Sequence, residues 1–417
     1  MKIKNVGPIE EAELTLNRVN VFMGPQSSGK STIAKIISFC TWVEKDIATS
    51  QSLDECRENA DYFKKHLEEY HKLKGYFKSN SYISYISDVI KIEYDNEKFS
   101  IAWKEQDSQY TYKRSKISYI PSERNTVFLP EMKKMEFSNN SIRSFLFDWF
   151  DTRKNYSRTS GLSILNLGVD YYYSEKTDED RIAKKHNGDS YDISLSNASS
   201  GLQSITPLIS MVDYLTSWIY EQEDSISFEW NDRKRQTMQI LSQELIFKKY
   251  FKDSFTGSKE QMKEMKEKMK TSEDEQFNKL LENCSQVAEM LFSTHNSQLI
   301  IEEPEQNLFP ETQRDLIYYL LKKCLNSKRE HCLTITTHSP YVLYALNNCM
   351  LGRLVSCKEE IKCGNALVEP KLVSVYEIHN GILERIQQDD GLVSKNYFDE
   401  NMKELMDDFY AMLNYYG

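Results

Sequence analysis

Within GPQSSGKST (24–32), Gly24 is followed by four residues and then by Gly29, Lys30 and Ser31. That spacing suits the cradling of a phosphate chain. Two glycines let backbone N–H groups approach phosphate oxygens where a β-carbon would collide. A helix beginning at the loop's end adds its own N–H groups and the positive end of its dipole. Lys30 then reaches the β- and γ-phosphates, and the Ser31 hydroxyl is a ligand for Mg²⁺. Hydrolysis needs more: a second metal ligand, and a base for the attacking water. SQLIIEEPEQNLFP (297–310) offers both, an apolar run ending in Glu302 and Glu303. Neighbouring side chains point opposite ways along a strand but diverge less at its end, so Glu302 can face the metal while Glu303 faces the water. CLTITTHSPYVL (332–343) brings a third polar group, His338, to the end of another β-branched run. In a parallel sheet that end is the ligand edge, where His338 could meet the γ-phosphate or the water.

The surrounding elements must place these groups. VNVF (19–22) reads as a buried strand, and Ile33, Ile36, Ile37 and Cys40 recur at helical spacing after the loop. The loop therefore lies between strand and helix, which disfavours a chance match in a Ser/Gly-rich turn. Gln298–Ile301 and the run before Thr337 read as two further buried strands. Short Tyr/Ile-rich runs between 81 and 128 suggest strands separated by turns. Residues 131–158 suggest an amphipathic helix, and 170–192 a charged loop or hairpin. SGLQSITPLISMVDYLTSWIYEQ (200–222) sets Leu202, Ile205, Leu208, Ile209, Val212, Leu215 and Ile219 on one helical face, with Pro207 expected to bend it. Met262, Met265 and Met269 mark a thin stripe on a charged segment that reads as a solvated helical arm.

Composition narrows the class. Charged residues make up 28% and hydrophobic ones 40%, the balance of an ordinary soluble domain. No stretch approaches the length of a membrane span, and charge interrupts the N-terminus too early for a signal peptide, so a cytoplasmic location is expected. Net charge is −10, which argues against a surface devoted to wrapping DNA but leaves room for a local basic groove. The cysteines, at 40, 56, 284, 324, 332, 349, 357 and 363, form no CxxC pair, which points to reduced thiols and away from zinc.

Together, IKNVGPIEEAEL, VNVFMGPQSSGKST, NASSGLQS, LIIEEPEQNLFP and TITTHSPYVL, in that order, resemble ABC-type ATPases of the SMC/RecF/OLD branch. The resemblance implies an α/β P-loop ATPase head with an antiparallel β subdomain and an inserted helical arm. It spans 1–353, with insertions at 43–118 and 223–297 and a small C-terminal extension at 354–417. ATP and Mg²⁺ are the implied ligands. Gly24, Gln26, Ser27, Ser28, Gly29, Lys30, Ser31 and Thr32 would line the nucleotide, and Glu302 would join Ser31 at the metal. Glu303 would be the general base and His338 the switch histidine. Ser199, Ser200, Gly201 and Gln203 resemble the signature loop, which in this family closes over the γ-phosphate of a second copy, so a homodimer or higher homo-oligomer is implied. The sequence departs from the family at Gln26, at Glu302 in place of Asp, and at Leu202 in place of a second glycine. YIPSERN (119–125) occupies the Q-loop position but contains no glutamine.

OLD-type members carry a Toprim nuclease after the ATPase. Here Asp389–Asp390 and Asp407–Asp408 are adjacent and in polar surroundings, so a built-in nuclease is not expected. Members without one include ATPase subunits of the PARIS and Septu anti-phage systems. The resemblance thus implies a sensor or scaffold with a separate nuclease effector, and nucleic acid or a phage protein as candidate ligands. The alternative is a RecF-like repair ATPase that binds DNA. A module that binds ATP without hydrolysing it, or a P-loop kinase, leaves Glu302–Glu303 or the TTHSP run without a purpose.

Overall fold

The computed structural model describes residues 1–59, 61–128, 139–184, 191–221, 228–251, 258–261, 263, 264, 267, 274–355 and 361–416. Two short strands, β1 (Lys2–Val6) and β2 (Ile9–Glu13), form a hairpin, and β3 (Val19–Met23) runs into the glycine loop. Helix α1 (Lys30–Ser50) follows. Strands β4 (Phe77–Ile86), β5 (Ile90–Asp95) and β6 (Lys98–Trp103) form an antiparallel wing joined to β1. Next comes β7 (Ser115–Ile120). Strands β8 (Leu162–Ser163), β9 (Asp170–Ser174), β10 (Glu179–Lys184) and β11 (Tyr191–Ser194) make a separate antiparallel sheet. The main sheet is completed by β12 (Asn296–Glu302), β13 (Cys332–Thr337), β14 (Val373–His379) and β15 (Ile382–Arg385).

Among the described residues the main sheet runs β6-β5-β4-β1-β2-β15-β14-β3-β13-β12-β7. The strands from β14 to β7 are parallel, with register Val373↔Val19, Leu333↔Val19, Leu299↔Leu333 and Leu299↔Ser118. This is the expected fold class, an α/β P-loop head with an antiparallel β subdomain. Parallel strands covered on both faces read as continuous apolar runs, and VNVFM is buried at every position. Val19, Val21 and Met23 belong to one core with α2 (Ser141–Arg153), α3 (Ser200–Thr216), α4 (Pro310–Leu325) and α5 (Pro340–Leu354). Phe22 turns to the opposite core with α1 and the β4–β6 wing.

One reading changes, and two gain detail. The segment 354–417, expected as a small extension, inserts β14 between β3 and β15 and so belongs to the sheet. Its apolar run VSVYEIH is a strand that forms a hairpin with β15 and lies parallel to β3 at the far end of the chain, and this second pairing leaves no local mark in sequence. The hairpin expected within 170–192 is present as β9 and β10, paired antiparallel, and it forms part of the second sheet, with Tyr171 and Tyr172 buried. Within the helical insertion expected at 223–297, the described helix Phe228–Leu241 contacts α1: Arg233 pairs with Asp46 at 2.6 Å, and Thr237 Oγ1 donates to the Thr49 carbonyl at 2.8 Å. The methionine stripe (262, 265, 269) lies outside the described residues. Pro207 sits within α3 without ending it.

Candidate nucleotide site

Strand register brings the distant motifs together. Met23 lies opposite Thr337, and Glu302 opposite Thr336, so Gly24, His338 and Glu303 each begin the turn at the same sheet edge. Gly24 takes φ +139° and Gly29 φ +112°, backbone values that side chains rarely adopt. A β-carbon on Gly24 would sit 2.3 Å from the Ile378 carbonyl oxygen, so both space and conformation require glycine there. Gln26 and Ser27 are exposed, Ser28 and Ser31 half-buried, and Thr32 buried in the first turn of α1.

Lys30 is buried and folded back over its own loop. Its Nζ donates to the Gly24 carbonyl at 2.9 Å and the Pro25 carbonyl at 2.6 Å, and lies 3.4 Å from Ser28 Oγ. Burial lowers its pKa to about 8, opposed by the negative charges of Glu303 and Glu305. Its ammonium group is thus held by two carbonyls of its own loop, within the field of two carboxylates.

The two adjacent glutamates differ in surroundings. Glu302 is 4% exposed. Its Oε2 accepts from the Ser122 N–H at 3.4 Å, whereas Oε1 has no hydrogen-bond partner, and neither does the buried hydroxyl of Thr336 beside it in the register. Buried oxygens without partners are costly unless something else satisfies them. A hard cation prefers oxygen ligands, so the free carboxylate oxygen of Glu302 and the Ser31 hydroxyl fit the Mg²⁺ the loop implies. Glu303 is half-buried, and its Oε1 lies 3.3 Å from His338 Nε2. The hydrogen bond with His338 holds its carboxyl below the usual range, helped by Lys30 and opposed by burial.

Two residues that the motif reading did not assign support this edge. Glu305 is buried, and its Oε1 accepts from Thr337 Oγ1 at 2.8 Å and from the His338 N–H at 2.6 Å. Burial pushes its pKa up. Arg124, from the YIPSERN run, is wholly buried. It donates to five main-chain carbonyls: Glu302 (2.8 Å), Glu303 (2.7 Å), Pro304 (3.3 Å), Pro121 (3.3 Å) and Ser204 (3.1 Å). Glu303 has φ +43°, rare for a side-chain-bearing residue. Pro304 disfavours a right-handed helical conformation before it, and the Glu303 N–H bond to Thr336 O (2.9 Å) and the Arg124 bond to its carbonyl hold the alternative. Burial lowers the guanidinium pKa to about 10, countered first by Glu305 and then by Glu303 and Glu302.

The Ser199–Gln203 loop makes a different set of contacts. Ser199 caps α3 by accepting from the Leu202 N–H, and Gln203 Nε2 donates to the carbonyls of Leu195, Ser196 and Ala198. Gln203 is thereby spent on closing its own loop, while Ser199 and Ser200 are exposed. A β-carbon on Gly201 would meet the Asn307 carbonyl at 3.0 Å, so the loop abuts the turn that follows Glu303. Within one chain the loop borders the carboxylate turn and leaves its serines facing outward.

No protein-family model matches the sequence, and no curated protein matches it. Among solved structures, the chain is similar to an SMC head domain from Thermotoga maritima at 10% identity and TM-score 0.36, covering 92% of this chain and 96% of that one. It is also similar to a dimeric bacterial ABC transporter cassette (10% identity, TM-score 0.28, 93% and 99% covered). A third similar structure is the recombination mediator RecF of the RecFOR pathway (11% identity, TM-score 0.26, 92% and 96% covered). Among the described residues no helix is long and apolar enough to cross a membrane.

Proposed function

We propose that this chain is an ATP-hydrolysing P-loop ATPase of the SMC/RecF/ABC type that closes as a homodimer on nucleotide. In this reading it is the sensor or scaffold of an anti-phage complex whose nuclease effector is a separate protein. The observation that carries the ATPase reading is the meeting of Lys30, Glu302, Glu303 and His338 at one edge of β3, β13 and β12. The glycine loop offers N–H groups to the phosphates, and Lys30 trades two carbonyls for the β- and γ-oxygens. Ser31 and Glu302 would hold Mg²⁺, which when bound neutralises phosphate charge. Glu303, kept ionised by His338, accepts a proton from the attacking water. His338 fixes the orientation of that carboxylate and completes the polar wall. The exposed Ser199–Ser200 loop, at a helix N-terminus, suits an anion supplied by a second copy.

The anti-phage part of the reading rests on the five motifs in their order and on the aspartates at 389–390 and 407–408, whose adjacent, polar setting does not suit a built-in nuclease. Phosphate release from purified protein tests the enzymatic part. Wild type is expected to release phosphate, and Glu303→Gln to bind ATP, accumulate as a nucleotide-locked dimer and lose turnover. Full activity in Glu303→Gln would end the assignment of the base. For the complex, affinity purification from the native host is expected to bring down a nuclease. Recovery of the chain bound only to DNA, with salt-sensitive affinity, would favour the RecF-like alternative.

A further inference from the structure

Arg124 touches two parts of the molecule that the proposed reaction must coordinate. Its Nη1 and Nη2 hold the carbonyls of Glu302, Glu303 and Pro304, and its Nε holds the carbonyl of Ser204 at the start of the second turn of α3. The same helix presents the exposed serines of the 199–200 loop. A planar guanidinium fixes several acceptors at set angles, so a shift of α3 must move the carboxylate turn or break bonds to it. The Glu303 backbone in that turn is held away from its ordinary conformation, at φ +43°. A strained residue held from outside can occupy two arrangements.

We propose that Arg124 is a positioning residue that couples the Ser199–Ser200 loop to the catalytic carboxylate. Engagement of that loop by an anion seats α3, and Arg124 passes the displacement to the Glu303 main chain. This aims the Glu303 carboxylate at the water only when the loop is occupied. The inference rests on the ATPase reading above and adds to it a reason for hydrolysis to await assembly.

Arg124→Lys keeps the charge and much of the side-chain volume but loses the fork. In this chain its kcat is expected to fall about 100-fold, the scale of misplacing a reacting group by about 1 Å, while KM for ATP stays within about two-fold. Placed in Glu303→Gln, the same change is expected to alter the residual single-turnover rate less than about two-fold, because residues acting as one unit are not additive. A merely structural role would lower both backgrounds equally, and that result overturns the proposal. Phosphate release by wild type together with unchanged kcat in a folded Arg124→Lys overturns the coupling alone; no release by wild type overturns the ATPase reading with it. Should the lysine variant not fold, amide exchange of wild type decides. ATP is expected to protect 200–204 and 303–306 together, and protection confined to the glycine loop contradicts the coupling.

Discussion

Glu303 Oε1 faces His338 Nε2 at 3.3 Å, joining the turns that follow β12 and β13. Both side chains are about one-third exposed, so the pair is screened and its worth is one of orientation more than of stability. His338→Ala is expected to lower kcat by roughly 10- to 100-fold with little change in KM for ATP. The hydrogen bond from His338 is the main influence holding Glu303 ionised. Its loss raises the Glu303 pKa, so the acidic limb of the kcat/KM profile moves to higher pH. A pH–rate profile of the variant checks this, and an unmoved acidic limb would separate His338 from Glu303.

Lys30 sets the other limb. Its ammonium is lowered to about 8 by burial in the nucleotide-free chain. Above that pH the free protein carries a neutral amine, so kcat/KM for ATP falls as pH rises past about 8. Bound phosphate stabilises the ammonium, and kcat stays flat over the same interval. Lys30→Ala is expected to weaken ATP binding about 100-fold, the scale of one charge-assisted hydrogen bond or two. Steady-state kinetics at several pH values and a binding titration measure both.

Gly24 ties the loop to the C-terminal strand β14 through the close approach of Ile378 O. Gly24→Ala forces either the loop or β14 to move and sets a side chain at φ +139°. The expected cost is roughly 1–3 kcal/mol, read as a lower Tm, together with loss of ATP binding. A variant that binds ATP normally would show that β14 does not constrain the loop.

Glu305 offers a stability test with the opposite sign from Glu303. Its folded pKa is raised by burial, so ionisation costs stability as pH climbs above the unfolded carboxyl value of about 4.3. Glu305→Gln keeps an oxygen acceptor for Thr337 Oγ1 and the His338 N–H, and does not titrate. Its Tm relative to wild type is expected to rise as pH climbs above about 4.3 and to level off once the wild-type Glu305 carboxyl has ionised in the folded chain. Thermal scans at several pH values check it; a relative Tm that falls with pH would mean the charged form of Glu305 is the favoured one.

The glycine loop, the paired glutamates and the strand ends were legible because phosphate chemistry restricts residue types at fixed spacings, and buried parallel strands leave apolar runs. Strand order was not legible. Val373 meets Val19 through main-chain bonds, and neither residue differs from any other buried valine. Arg124 escaped for a related reason: all five of its acceptors are carbonyls, which every residue carries. The one signal available was an arginine just past Pro121, at the Q-loop position, where a glutamine was expected. Gln203 has contacts that its motif did not foretell. Its side chain matched a binding motif, yet its amide is consumed by three carbonyls of its own loop.

The central claim is that this sheet edge and an exposed serine loop from a second copy enclose one triphosphate. A structure of Glu303→Gln with ATP and Mg²⁺ tests it most directly. The account predicts that Lys30 Nζ leaves the Gly24 and Pro25 carbonyls for the β- and γ-phosphates, and that Ser200 of the opposing copy contacts the γ-phosphate. Nucleotide held by the loop with Lys30 still bound to those carbonyls, or with both Ser200 loops in solvent in every assembly, would contradict it.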